Sequence, residues 1–144
     1  MNKPCRSAPG RSRKTAVLAS ASALFLSSCQ SSGPGSFSTR SESRALPTME
    51  RIALSARSCW FRSGDSEFRP YKLAPELNSF SGRPRILIVS ARDPQGRPLA
   101  VVEGHGDPAT VDVYGPLLDQ SLGSRIKADV ERWTGGSTDC KSTA

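Results

Sequence analysis

Residues 85–114 read RILIVSARDPQGRPLAVVEGHGDPATVDVY, and this stretch decides the fold. Arg85 to Ala91 is a continuous run rich in β-branched residues, bounded by turn signals, and predicts a strand. Pro98 to Glu103 predicts the next strand. Between them, Asp93-Pro94-Gln95-Gly96 places Pro at the second position of a turn and Gly at the fourth, so the two runs predict a β-hairpin. Gly104-His105-Gly106-Asp107-Pro108 is a second turn. Thr110 to Tyr114 is then a third strand, with Val111 and Val113 facing one way and Asp112 the other.

Working outward, Met49, Ile52, Ala53, Ala56 and Trp60 recur at the spacing of one helical face, which predicts a helix over 48–62 with Thr48, after Pro47, as its N-cap. Tyr71-Lys72-Leu73 starts an extended stretch that Pro75 is expected to break. On the other side, Leu118, Leu122, Ile126, Val130 and Trp133 form a second stripe ending at Gly135-Gly136. Gly123-Ser124 offers a break, with Ser124 then capping a helix over 125–134. Trp60 and Trp133 are expected as core anchors. The order predicts an α+β domain: a small antiparallel sheet of three to four strands flanked by an N-terminal and a C-terminal helix.

The 144 residues carry a formal net charge of +7, which raises nucleic acid as a partner until the charges are placed. Residues 1–28 hold five basic residues and no acid, whereas residues 29–144 hold fifteen basic and thirteen acidic. The folded part is therefore near neutral, and no nucleic-acid interface is expected. Residues 1–14 are basic, residues 15–28 (TAVLASASALFLSS) carry no charge, and Leu26-Ser27-Ser28-Cys29 follows. A basic region, a short apolar region and small residues make a secretory signal, too short to span a bilayer.

Leu26-Ser27-Ser28-Cys29 resembles the lipobox of bacterial lipoproteins. The resemblance implies cleavage between Ser28 and Cys29, a diacylglycerol on the Cys29 sulfur, an N-acyl chain on its new amino terminus, and attachment to a membrane facing the periplasm. Two or more acyl chains suffice for stable anchoring. Gln30, not Asp, follows the cysteine, which by the same resemblance favours the outer membrane over the inner one. The alternatives are an ordinary secretory signal cut after Ala19-Ser20-Ala21 or Ala21-Ser22-Ala23, and a start at Met49. The region from Cys59 to Trp133 is similar to short alphaproteobacterial envelope lipoproteins, although no motif with known chemistry carries that likeness.

Three segments are expected: a signal peptide over 1–28, the lipidated cysteine and a flexible tether over 29–45, and one domain over 46–144. Residues 30–45 (QSSGPGSFSTRSESRA) contain one large apolar residue, Phe37, too little burial to offset ordering entropy. Of four cysteines, Cys5 falls in the signal and Cys29 at the lipid site, leaving Cys59 and Cys140. In an exported domain these two are expected to pair, the alternative being free thiols.

Motifs for chemistry are sparse. His105 is the only histidine, no close-spaced Cys/His metal motif exists, and no G-x-S-x-G or P-loop appears, so neither a metal nor another cofactor is expected. Asp129 and Glu131 are read as part of a solvated helix face with Lys127 and Arg132. One asymmetry remains: residues 40–97 hold eleven basic and six acidic residues, and residues 98–144 hold four and seven. Arg83, Arg85, Arg92 and Arg97 are the expected contacts to anionic lipid or lipopolysaccharide phosphate. The sequence thus predicts a non-catalytic envelope interaction or assembly module. The alternative is a small periplasmic hydrolase or enzyme inhibitor with His105 or the arginine cluster at its working surface; a concave pocket holding His105 near an acid and a serine supports it, and His105 on an open turn excludes its catalytic version.

Overall fold

The computed structural model describes residues 35–141. Among them, β1 (Ser36–Arg40), β2 (Tyr71–Glu76), β3 (Arg85–Ser90), β4 (Ala100–His105) and β5 (Thr110–Tyr114) form one sheet in the order β1-β5-β4-β3-β2. Every neighbouring pair is antiparallel. Helices α1 (Ala45–Ala56) and α2 (Gly123–Thr134) bury their apolar stripes with one face of this sheet, so the class is α+β, with one more strand than the upper expectation.

The extra strand is β1, which lies inside the stretch read as a tether. Its serines hide an alternation: Phe37 and Thr39 oppose Val113 and Val111, which are core residues, while Ser36, Ser38 and Arg40 share the other face. Backbone pairing with β5 supplies order that composition did not announce. The folded unit therefore begins well before residue 46. Cys29, Ser28 and the lipobox lie outside the described residues.

The predicted hairpin is β3–β4, with Ile86 opposite Val102 and Gly96 N–H donating to Asp93 O at 3.2 Å across the turn. Strand β2 runs through Pro75 instead of stopping there. It is an edge strand, and an edge has positions where a missing N–H costs no ladder bond. At Gly104 α1 crosses β4 so closely that a Cβ would stand 2.6 Å from Met49 Cγ.

Helix α1 starts three residues before the predicted N-cap. Pro47 falls in the first turn, where backbone N–H groups have no intrahelical partner anyway. Thr48 is a buried helix residue whose hydroxyl donates to Ser41 Oγ at 3.0 Å. The last stretch of the predicted helix, Arg57–Arg62, is wound as a π-helix. This wider turn directs the consecutive residues Cys59 and Trp60 both inward. Trp60 stacks on Phe68 at 4.8 Å and meets Trp133 at 4.9 Å, while Cys59 is bonded to Cys140, 81 residues away. The second stripe is split before Gly123, but Ser124 is not the cap: it lies inside α2, whose N-cap position is Leu122 with no side-chain cap bond. A 3-10 turn over Pro116–Asp119 buries Leu117 rather than Leu118, and α2 begins at Gly123, where a Cβ would collide with Leu118 O. Arg51 closes the far end of α2 by donating to the carbonyls of Trp133 and Thr134 at 2.8 and 3.4 Å.

Candidate functional site

Between the π-helical turn and the edge strand β2 lies a groove of about 410 Å³, lined by Arg57, Phe61, Arg62, Lys72, Leu73 and Pro75. Its apolar part is held from beneath. Phe61 stands edge-on to Phe68 at 5.7 Å, and both Phe61 and Leu73 pack against the core. Arg57, Arg62 and Lys72 are exposed around it. Among the described residues none of these three has a carboxylate within salt-bridge distance.

Three acids near them in sequence are bound to other arginines. Asp65 and Glu67 both bind Arg125, at 2.6 and 3.0 Å, and Glu76 binds Arg85 at 2.6 Å. The Asp65 carboxylate also accepts the Glu67 backbone N–H at 3.0 Å. That bond, with the Arg125 guanidinium, holds its pKa below the usual value against the opposing effect of burial. The Arg85 guanidinium is likewise held charged by its bond to Glu76. Asp65, Glu67 and Glu76 are thus committed to other cations, and the groove keeps a positive rim.

A second depression, of about 590 Å³, adjoins the first through Pro75. It is lined by Glu76, Leu77, Asn78, Ser79 and Arg85, and carries Phe80, whose side chain is wholly exposed. The loop bearing Phe80 is shaped by hydrogen bonds: Ser79 Oγ donates to Arg83 O, and Gly82 N–H donates to Ser79 O at 3.0 Å.

The four arginines singled out in the sequence do not form one patch. Arg83 and Arg85 lie at the start of β3 and are ion-paired, Arg83 with Glu103 at 3.1 Å and Arg85 with Glu76. Arg92 and Arg97 are exposed in the turn at the other end of the hairpin. The sequence missed Arg57, Arg62 and Lys72 because they converge only once α1 and β2 are packed, and nothing local marks them apart from other solvated basic residues.

His105 ends β4. Because Gly104 faces α1, His105 points to the opposite, open face of the sheet. Its Nδ1 lies 3.3 Å from Asp112 Oδ2 but is not aligned for a hydrogen bond, and Ser38 Oγ donates to the other oxygen of Asp112. The carboxylate therefore sits between serine and histidine. Activating a serine needs the histidine in the middle. Among the described residues no group of three or more His, Cys, Asp or Glu side chains is placed to hold a metal ion.

Asp129 corrects the reading of a solvated α2 face. It is buried, accepts Trp60 Nε1–H at 2.8 Å and Arg132 Nη2–H at 2.5 Å, and lies 3.6 Å from Arg125. Only Lys127 and Glu131, 4.0 Å apart, keep the exposed pairing expected of that face. In comparisons with known proteins, the chain matches no family model, no curated protein and no solved structure.

Proposed function

We propose that this protein is an exported lipoprotein, held to a membrane through Cys29 and facing the periplasm, whose folded domain is a non-catalytic interaction module of the cell envelope. The observation that carries the reading is the Cys59–Cys140 disulfide, since such bonds persist in oxidising compartments and are rare in the cytosol. It agrees with the basic-then-apolar front end and with Leu26-Ser27-Ser28-Cys29. The serine–carboxylate–histidine order on the sheet's open face favours binding over hydrolysis.

The test is the intact mass of the native protein, taken from the membrane fraction and left unreduced. Loss of residues 1–28, a gain of two or three acyl chains, and two hydrogens fewer than the free dithiol are expected. A chain without added lipid, cut elsewhere or starting at Met49, overturns the anchored reading.

A further inference from the structure

We infer that the edge of the domain formed by the π-helical turn, β2 and the Phe80 loop docks on the surface of an anionic phospholipid bilayer. In this arrangement Arg57, Arg62 and Lys72 bind lipid phosphates and Phe80 enters the headgroup region. The inference adds a second, reversible contact to the anchored protein proposed above, and rests on that reading for its membrane.

Charge complementarity carries it. Three cations surround an apolar groove without an ion pair among the described residues, and three acids near them in sequence, Asp65, Glu67 and Glu76, are bound to Arg125 and Arg85. Long basic side chains around an apolar floor are suited to an interface that is charged above and oily beneath. Phe80, fully exposed beside the groove, gives that surface an aromatic tip, and the neighbouring Glu76 is already neutralised by Arg85. A peptide partner adding a strand is disfavoured, because Pro75 interrupts the N–H donors of this edge. Lipid phosphates need no ladder.

The experiment uses the full chain purified from membranes and carrying Phe80→Trp as a reporter. It is reconstituted in vesicles of phosphatidylcholine alone or with one-third phosphatidylglycerol, part of the lipid being brominated to quench nearby indoles. Trp60 and Trp133 are buried and give a steady background. The expected result is reporter quenching in the anionic vesicles only. It falls at high salt, and the docked-to-free ratio drops about fivefold for each of Arg57→Gln, Arg62→Gln and Lys72→Gln. Arg40→Gln, on the opposite edge strand β1, is expected to change nothing. Equal quenching in both vesicle types, or quenching that survives loss of the three cations, overturns the inference. Mass spectrometry on the same sample separates the two ideas. Lipidated protein without anionic-specific quenching refutes the docking face and leaves the anchor standing. Unlipidated protein that is quenched on anionic vesicles refutes the anchor and supports the face.

Discussion

A single buried carboxylate, Asp129, joins the two tryptophans' surroundings to α2. It accepts from Trp60 and Arg132, and Arg132 Nε and Trp133 Nε1 both donate to Asp139 O, at 3.1 and 2.9 Å, next to Cys140. Asp129→Ala leaves the buried Trp60 indole N–H without its acceptor and takes from Arg132 its carboxylate partner, so a loss of about 2–4 kcal/mol is expected, read as a lower urea midpoint. A midpoint unchanged from the parent would refute this account of the site. Trp60→Ala, which removes the ring stacked on Phe68, should cost about 3–5 kcal/mol by the same measurement. Asp65 sets a pH dependence. Its folded pKa lies below the ordinary 3.8, so the unfolded chain takes up the proton first as pH falls. Its contribution is full above the unfolded value and is lost as pH drops through the folded one. Asp65→Asn should therefore flatten the acid side of the stability curve below about pH 4 while leaving the pH dependence near neutrality as it was.

Among the elements, α1 and β4 meet so closely at Gly104 that no side chain fits between them. A methyl group at Gly104 would press on Met49, forcing the helix outward or the methionine into another rotamer. Gly104→Ala is expected to cost about 1–3 kcal/mol, checked by equilibrium unfolding. Met49→Ala in the same background should relieve part of that loss, giving a non-additive double-mutant cycle. The π-helical turn is the other decisive element. It is the place where one short segment supplies a disulfide cysteine, a core tryptophan and two of the three groove cations.

For the whole molecule, the disulfide closes an 81-residue loop and fastens the tail beyond α2 to the turn after α1. The chain-entropy relation puts its effect at about 4.5 kcal/mol as an upper figure, and native disulfides of small exported domains typically contribute about 2–5 kcal/mol. Reduction should lower the melting temperature by roughly 10–20 °C, followed by scanning calorimetry with and without a phosphine reductant. A melting temperature insensitive to the reductant would mean that the tail is held by the Arg132 and Trp133 bonds alone.

What the sequence by itself determined is whatever is written in local periodicity and parity. The two apolar stripes, the Asp93–Gly96 turn with its hairpin and the Thr110–Tyr114 alternation followed from spacing, while the pairing of Cys59 with Cys140 was expected only once the lipobox resemblance had set Cys29 aside. Those signals are legible because each residue's side is set by its own helical or strand phase. Tertiary structure decided the rest. Strand β1 exists because β5 offers it a partner, which no serine-rich composition reports. Arg83 and Arg85 are ion-paired with Glu103 and Glu76, and Asp129 is buried against Trp60. The groove cations Arg57, Arg62 and Lys72 meet only when the π-helical turn packs beside β2, and Arg125 and Arg85 hold the acids Asp65, Glu67 and Glu76. Charge pairing acts through space over a few ångströms, and the chain order does not record which groups the fold brings that close.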